Sequence, residues 1–425
     1  MKRGPYRAAL LASAATLLLV LLALNFSTGE KRIERDLKRL YSVADPQFRR
    51  SMSVLLGPTI LEGNRVEVLL NGDQIFPAML AAIKEAKRTI TFETYIYWSG
   101  TIGEEFVEAL SERARAGVKV HVLLDWLGSV KMESRYLDSM RAAGIEVERY
   151  HKPDWWQWAR LNNRTHRKLL VVDGSIGFTG GVGIADEWRG NAQDPKHWRD
   201  THFRIDGPVV AQVQSTFIDN WIKATGRVLH GQAYFPALKA KGDLAAQMFS
   251  SSPSGGSESM RLMYLMAITS AGRGIRLSTP YFVPDDLASN ALIAAAARGV
   301  KVQIIVPGEH IDTEVVRQAS RAGWGPLLEA GIEIFEYQPT MYHTKLLVVD
   351  ELFTSVGSTN FDNRSLSLND EANLNVIDAG FGAEQGRIFD DDLKRARRIT
   401  LADWRNRPMI DKLTERFVSM LSFAL

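Results

Sequence analysis

The stretch that decides the fold is HTKLLVVDELFTSVGSTN, which runs from His343 to Asn360. It opens with two basic side chains two positions apart, continues as an apolar run, turns at an acid, and ends in small residues and an amide. A second stretch, HRKLLVVDGSIGFTGGVG, starts at His166 and has nearly the same order. Because 425 residues exceed the usual size of one hydrophobic core, the repeated order indicates two fused halves.

The flanking sequence is duplicated as well. AGVKVHVLLD at Ala116 corresponds to RGVKVQIIVP at Arg298, and AAGIEVERY corresponds to EAGIEIFEY. From Val66 onward, strand-like runs alternate with amphipathic helical windows, which is typical of βαβ units. We therefore predict an α/β fold of two similar lobes around a pseudo-twofold axis, each with a mostly parallel or mixed sheet flanked by helices.

The N-terminal region predicts a membrane anchor. Residues Ala8 to Phe26 carry no charge over 19 positions, and about 20 such residues span a bilayer core. Basic residues flank the run on both sides, so the side of the membrane that the catalytic domain faces is left open. An uncleaved single-pass anchor is favoured over a removed signal peptide, because no small-x-small cleavage site follows the run.

Composition shifts divide the rest of the chain. The loop SSSPSGGSES is rich in turn formers, and the C-terminal segment places Leu413, Phe417, Met420, Leu421 and Ala424 on one helical face. We expect that face to dock on the second lobe, with membrane contact as the alternative. The predicted domains are an anchor at 1–29, a juxtamembrane stalk at 30–65, a first lobe at 66–249, a flexible loop at 250–259, and a second lobe with the C-terminal amphipathic helix at 260–425.

Composition excludes several function classes. There is no cysteine, so thiolate metal sites, disulfides and a cysteine nucleophile are absent. The formal charge of +3 gives no support to a nucleic-acid partner, although it is compatible with anionic lipid. No HExxH-type helix is present, and an imidazole beside a fixed cation is a poor ligand, so we expect no metal and no cofactor.

The chemistry lies in the two basic pairs. Alternate residues of a strand share a face, so His166 and Lys168 point the same way, as do His343 and Lys345. An ammonium neutralises phosphate oxygens, while a neutral imidazole attacks phosphorus or moves a proton. If both pairs face one crevice, one histidine can form a phosphohistidine and the other can act as acid and then base.

Supporting residues are also predicted. Small residues end each stretch, and a backbone with small side chains can approach a phosphate closely. Gly181 and Ser358 are therefore predicted to bind substrate phosphate, with Asn360 as an amide donor. A catalytic imidazole also needs an acceptor for its other nitrogen. Asp200 and Glu371, one in each half, are the candidate acceptors.

These stretches resemble the HxKxxxxDxxxxxxGSxN signature of the phospholipase D superfamily, here carried twice. Within it, FETYIYWSG, STPYFVPDD and STNFDNRSLSLNDEANLNV are most similar to bacterial cardiolipin synthases, which join two phosphatidylglycerols and release glycerol without a metal. The resemblance implies two phospholipase D-like lobes, phospholipid substrates and the bacterial plasma membrane. It also implies that His166 is the nucleophile, that His343 is the general acid and base, and that Asp173 and Asp350 are the motif acids.

Gly183 departs from the family pattern, which usually has asparagine there, so the first half-site lacks an amide donor. Three alternatives remain open beside the phosphatidyltransferase. The first is a phospholipase D that hydrolyses or transphosphatidylates other phospholipids, and the second is a nuclease-like enzyme, disfavoured by the charge and the anchor. The third is an inactive scaffold that binds anionic headgroups. The aromatic cluster DWWQWAR, residues 154–160, is a candidate apolar rim for the site.

Overall fold

A computed structural model describes residues 12–18, 33–150, 164–252 and 258–419. The chain divides into an N-terminal unit, Met1–Glu34, and a large unit, Arg35–Leu425. In the first, residues 12–18 are helical. Most of the predicted span from Ala8 to Phe26 lies outside the described residues, and none of the helices within them has the length and apolarity needed to cross a bilayer.

Strands account for most of the large unit's centre. Those of the first half are Leu61–Leu70 (β1), Thr89–Thr94 (β2), Lys119–Asp125 (β3), Glu146–Tyr150 (β4), Leu169–Val172 (β5), Ile176–Gly180 (β6) and Thr201–Asp206 (β7). Those of the second half are Leu244–Ser251 (β8), Gly274–Ser278 (β9), Phe282–Val283 (β10), Lys301–Pro307 (β11), Glu333–Tyr337 (β12), Leu346–Val349 (β13), Phe353–Gly357 (β14), Phe361–Asp362 (β15), Glu371–Ile377 (β16) and Ala396–Ile399 (β17).

Helices cover both faces of the sheet. In the first half they are Pro46–Leu56 (α1), Asn71–Glu85 (α2), Thr101–Arg115 (α3), Ser134–Ala142 (α4) and Val210–Thr225 (α5), with a 3₁₀ turn at Asp186–Trp188. In the second half they are Ser259–Thr269 (α6), Asp286–Ala297 (α7), Glu314–Ala322 (α8), Trp324–Glu329 (α9), Asn363–Ser367 (α10), Ala379–Leu393 (α11), Leu401–Asn406 (α12) and Met409–Ser419 (α13).

One sheet runs through both lobes in the order β17-β12-β11-β9-β13-β14-β16-β8-β1-β7-β6-β5-β2-β3-β4. The strand order β11-β9-β13-β14-β16-β8 in the second lobe corresponds to the order β3-β2-β5-β6-β7-β1 in the first lobe. This correspondence confirms two similar α/β lobes. The sheet is mixed: β2, β3 and β4 are mutually parallel, as are β9, β11 and β12, while the strands toward the centre pair antiparallel. Of the two predicted arrangements, mostly parallel or mixed, the sheet is mixed, with three parallel strands in each lobe and β17 added antiparallel at the edge of the second lobe.

The lobes share a hydrophobic core at their junction. It joins Phe217 and Trp221 of α5 and Met248 of β8 to Tyr342 and to Leu346 of β13. All five side chains are nearly or fully buried. Because burying a large apolar side chain stabilises a protein by about 1.5–3 kcal/mol, this core resists separation of the lobes.

The predicted juxtamembrane stalk at 30–65 is largely part of the folded unit. Helix α1 begins at Pro46, where the Asp45 carboxylate caps it, and buries Phe48 completely. The Phe48 ring meets the Phe353 ring of β14 edge to face at a centroid distance of 5.4 Å. Strand β1, starting at Leu61, then pairs with both β7 and β8. Five apolar residues of this segment are buried in the core, namely Val43, Phe48, Met52, Leu56 and Ile60, whereas Leu40, Val54 and Leu55 are exposed.

The C-terminal helix α13 packs on α8 of the second lobe, but through the face opposite to the predicted one. Buried Glu415 forms an ion pair with Arg321 at 3.2 Å and accepts a hydrogen bond from Arg407 Nε at 2.6 Å. Leu413 and Phe417 of the apolar face are 62% and 67% exposed. The expectation that this face docks on the protein is therefore wrong for these two residues. Met420, Leu421 and Ala424 lie outside the described residues.

Candidate active site

The two histidines reach one cavity at the junction of the lobes. His166 and Lys168 immediately precede β5, and His343 and Lys345 immediately precede β13, so the equivalent strands of the two lobes deliver equivalent side chains. A cavity of about 420 Å³ is lined by His166, Lys168 and His343. All four basic side chains are at most 8% exposed.

Backbone hydrogen bonds exchange the histidine segments between lobes. The His166 N–H donates to the Asp370 carbonyl at 2.9 Å, and the Asp370 N–H donates back to Arg164 at 2.8 Å. In the same way, the His343 N–H donates to the Arg199 carbonyl at 2.8 Å, and the Arg199 N–H donates to Met341 at 3.0 Å. Each histidine is thus held by a strand segment of the opposite lobe.

The acids that hold the imidazoles are exchanged in the same way. His166 Nδ1 lies 3.0 Å from both carboxylate oxygens of Glu371, and His343 Nδ1 lies 2.7 Å from Asp200 Oδ2. The sequence placed one acid in each half, and the structure pairs each acid with the histidine of the other half. Since a carboxylate only accepts, each Nδ1 carries the proton and each Nε2 presents a lone pair.

The two acids are themselves firmly held. Asp200 accepts from Trp188 Nε1 at 2.9 Å and from the Thr201 N–H at 2.8 Å, and Glu371 accepts from the Ser358 hydroxyl. Burial alone would raise the pKa of both carboxyls, but the neighbouring imidazoles and ammoniums outweigh it and lower the pKa below the usual range. Both acids are therefore ionised, and each can stabilise an imidazolium.

Each lysine lies beside the histidine of its own stretch. Lys168 Nζ donates to the His166 carbonyl at 2.8 Å, and Lys345 Nζ donates to the His343 carbonyl at 2.7 Å. Lys345 Nζ also lies 3.1 Å from His343 Nδ1. Burial, together with the charge of Lys345, lowers the pKa of Lys168 to about 7, and burial lowers the pKa of Lys345 to about 8. Two crowded ammoniums make this pocket favourable for an anion.

The same environment keeps the imidazoles neutral. Burial and the adjacent ammoniums lower the pKa of His166 to about 4 and of His343 to about 3, in spite of the carboxylates. A neutral imidazole can act as a nucleophile or a base at neutral pH. A phosphate anion bound among these groups offsets the ammonium charges and raises the imidazole pKa, which favours the protonated form needed in a general acid.

The motif acids Asp173 and Asp350 do not reach the cavity. Each follows the strand that its histidine precedes, seven residues on, which is roughly 20 Å along extended backbone. Asp173 accepts from the N–H groups of Lys87, Arg88 and Thr89 at 2.7–3.2 Å. Asp350 accepts from the N–H groups of residues 272–274 at 2.7–2.9 Å. They fasten the far ends of strands β5 and β13, and the prediction that they are catalytic is corrected.

Of the three predicted phosphate ligands, only Asn360 lines the cavity. Ser358 is fully buried, and its hydroxyl is committed to Glu371. Gly181 packs against the Asp200 carboxylate so closely that a Cβ would overlap it, and its N–H donates to Thr201 at 3.2 Å. Ser358 and Gly181 therefore support the orienting acids, which corrects their assignment as phosphate ligands.

The structure also accounts for Gly183. A Cβ at this position would lie 2.7 Å from Ile96 Cβ and 3.2 Å from a Trp188 ring carbon. Ile96 and Trp188, which line the cavity, fill the space that an asparagine side chain would need. The first half-site is thus apolar where the second presents an amide.

Aromatic rings that the sequence analysis did not single out pack on both imidazoles. Tyr95 contacts His166 edge to face at 5.3 Å, and Trp188 and Trp198 contact His343 at 5.2 and 5.5 Å between ring centroids. Trp198 stands two residues before Asp200 in HWRD, so the neighbouring acid was the available signal. The predicted rim DWWQWAR lies outside the described residues.

The cavity therefore has the side chains that an in-line displacement at phosphorus requires. Two Nε2 lone pairs face a site with two ammoniums, and each imidazole is backed by an ionised carboxylate. The residues that line the cavity include the aromatic side chains Trp98, Trp188 and Trp198 and the polar side chains Tyr281, Asp312, Asn360, Arg164 and Arg364.

Comparison with known proteins agrees with this chemistry. The family model described as "Cardiolipin synthase, PLD-like domain" matches residues 79–219 and 264–393. Cardiolipin synthase A of Pseudomonas putida strain GB-1 is 34% identical over 374 residues, which cover 88% of this chain and 78% of that protein. Cardiolipin synthase 1 of Bacillus anthracis is 32% identical over 401 residues, 92% of this chain and 79% of the relative.

Solved structures share the fold. The phosphatidylserine synthase of Haemophilus influenzae Rd KW20 superposes with a TM-score of 0.68 at 14% identity, over 89% of this chain and all of that chain. The polyphosphate kinase of Porphyromonas gingivalis superposes with a TM-score of 0.54 at 14% identity, over 85% of this chain and 54% of that chain.

Proposed function

This chain belongs to the phospholipase D-like cardiolipin synthase family, and we propose that it is a phosphatidyltransferase that makes cardiolipin from two phosphatidylglycerols and releases glycerol. The observation that carries the proposal is the pair of histidine–lysine couples, one from each lobe, around a single cavity. Each imidazole is oriented by a buried carboxylate of the other lobe, which suits a reaction with one nucleophile and one acid and base.

In the first step, Nε2 of His166 attacks the phosphorus of the donor phosphatidylglycerol. A P–N bond forms as the P–O bond to the headgroup glycerol breaks, and His343 gives its proton to the departing alkoxide. Lys168 and Lys345 neutralise the charge on the phosphoryl oxygens. Glu371 stabilises the positive charge that develops on the His166 ring. The products are glycerol and a phosphatidylated His166.

In the second step, a hydroxyl of the acceptor phosphatidylglycerol attacks the same phosphorus. His343, now neutral, takes the hydroxyl proton, a P–O bond forms, and the P–N bond breaks to restore His166. The assignment of His166 as nucleophile follows the resemblance of its stretch to the family. The two ammoniums supply the cationic charge at the phosphoryl group, so we propose that the reaction requires neither a metal nor a cofactor.

We further propose that the enzyme works at a membrane surface. Residues 1–29 form the proposed single-pass anchor in a bacterial plasma membrane. Helix α13 supports membrane contact, because Met409, Ile410, Leu413 and Phe417 share one face and are 62–72% exposed. Lys412 and Arg416 flank that face on the helix, as expected at an anionic headgroup layer.

The function is tested with the purified chain and labelled phosphatidylglycerol in detergent–lipid micelles, with and without a chelator. We expect cardiolipin and glycerol in equal amounts, undiminished by the chelator, and no product from His166→Ala or His343→Ala. Phosphatidic acid as the main product would identify the alternative, a phospholipase D that transfers the phosphatidyl group to water. Loss of turnover in the chelator would contradict the metal-free mechanism.

A further inference from the structure

The polar residues that line the cavity include two arginines that the reaction above does not use. Arg164 and Arg364 both line the wall and are half-buried. They come from different lobes and meet at one short segment, because the Arg164 carbonyl accepts from the Asp370 N–H at 2.8 Å and the Arg364 carbonyl accepts from the Asn369 N–H at 3.0 Å. The fold therefore places two guanidinium-bearing residues side by side at the edge of the active site.

The electrostatics of this wall favour a bound anion. Burial and the like charge of Arg164 lower the pKa of Arg364, although Asp362 and Tyr95 oppose the shift. Tyr95 is also hydrogen-bonded to Arg164, which fixes one guanidinium beside His166. Adjacent cations on a partly buried wall are stabilised when an anion lies between them, and guanidinium groups match phosphate geometry in particular.

The chemistry of the proposed reaction supplies one such anion. Donor phosphatidylglycerol has a single phosphate, and that phosphate lies between the imidazoles and the two ammoniums. An acceptor phosphatidylglycerol brings a second phosphate, which is five bonds from the attacking hydroxyl oxygen, or roughly 6 Å at ordinary bond lengths. Water and simple alcohols bring none. A second anion site in this cavity therefore has a use only when the acceptor is itself a phosphate ester.

We propose that Arg164 and Arg364 form an acceptor site that binds the phosphate of the incoming lipid alcohol and thereby selects it over water. This inference rests on the proposed function and assigns its acceptor specificity. The Asn360 amide and the Asp312 carboxyl line the same cavity and can contact the glycerol hydroxyls between the two phosphates.

The test compares acceptors that differ only in a phosphate. Phosphatidylglycerol serves as donor, and glycerol 3-phosphate or glycerol is added as a soluble acceptor that carries the label, because transfer to glycerol regenerates phosphatidylglycerol and is seen only as label entering the lipid. Cardiolipin and phosphatidic acid are measured in the same reactions as the products of transfer to lipid and to water. We expect the wild type to prefer glycerol 3-phosphate over glycerol. The double variant Arg164→Gln, Arg364→Gln is expected to lose that preference at least tenfold, which is about 1.4 kcal/mol.

The variant must still cleave the donor, as transfer to ethanol will show. We expect phosphatidylethanol formation within about threefold of wild type, and a shift of the lipid products from cardiolipin toward phosphatidic acid. Arg364→Lys, which keeps the charge, should retain part of the preference. Arg115→Gln on the exposed surface of α3 is the matched control and should change nothing.

Four outcomes would overturn the inference. An unchanged acceptor preference in the double variant would show that the arginines do not bind the second phosphate. A parallel fall of transfer to every acceptor, ethanol included, would assign them to donor binding or folding. If the wild type makes no cardiolipin and ignores glycerol 3-phosphate, the proposed function fails together with the inference, whereas cardiolipin made equally well by the double variant sinks the inference alone.

Discussion

The substitution Asp200→Asn tests the exchanged pairing of acids and histidines. Asp200 accepts from three donors: His343 Nδ1, Trp188 Nε1 and the Thr201 N–H. An asparagine has one oxygen and one NH₂ group, and either orientation turns the NH₂ toward a fixed N–H donor. The variant therefore loses the charge behind His343 and leaves one buried donor without an acceptor.

The magnitude follows from these contacts. A buried hydrogen bond to a charged group contributes about 1.5–3 kcal/mol, so its loss from the step that protonates the leaving group slows transfer roughly 10- to 100-fold. An unsatisfied buried N–H costs about 1–3 kcal/mol of unfolding free energy as well. Transfer from phosphatidylglycerol should thus fall within that range in Asp200→Asn, with a measurable loss of stability in urea.

The assay separates the roles of the two histidines by leaving group. In a phosphatidyl ester of 4-nitrophenol, the nitrophenolate leaves without a proton, so the first step bypasses the general acid. Asp200→Asn should therefore release nitrophenolate in the first turnover at nearly the wild-type rate. Glu371→Gln acts on the nucleophile His166, so its loss should be similar for both esters. If the nitrophenyl ester instead rescues Glu371→Gln and not Asp200→Asn, His343 is the nucleophile and the assignment is refuted.

Three further predictions concern pH, packing and the membrane. For the nitrophenyl ester, which needs no general acid, kcat/KM should fall above about pH 7, because Lys168 must be protonated and its pKa is lowered to about 7, and Lys168→Arg should move that alkaline limb upward. The acid limb should lie well below pH 6.5, because His166 must be neutral and its pKa is lowered to about 4. Gly183→Asn should destabilise the protein by about 1–3 kcal/mol in urea, and Gly183→Ala by less, since the added atoms overlap packed side chains. The double variant Leu413→Glu, Phe417→Glu should turn over phosphatidylglycerol in anionic vesicles more slowly than the wild type but keep its activity on micellar substrate, and equal activity on vesicles would contradict membrane contact through α13.

The two histidine–lysine pairs could be predicted from the sequence because the alternation of side chains along a strand depends only on neighbouring residues. Strand alternation places His166 with Lys168 and His343 with Lys345, and the structure brings both histidines to one cavity. The motif acids were misjudged for the same reason. Alternation over seven residues says nothing about which end of the strand faces a ligand, and at its far end Asp350 caps backbone N–H groups instead.

Contacts between distant segments were beyond this reasoning. The pairing of His166 with Glu371 joins residues of different lobes, and only the three-dimensional path of the chain decides it. Helix α13 was misread because periodicity finds an apolar face without saying what it meets, and there the buried contact is an ion pair with Arg321. Ser358 was likewise predicted to bind phosphate, but its hydroxyl donates a hydrogen bond to the Glu371 carboxylate instead.

The exchanged backbone bonds limit how this enzyme can move. Many two-lobed enzymes admit substrate by bending at a hinge, which swings one half away from the other. Here such a swing would tear each histidine segment from the strand that holds it and would split a sheet that continues without interruption through β1 and β8. Lipid entry and product exit therefore depend on side chains and loops at the cavity mouth, while the two lobes keep their relative position during catalysis.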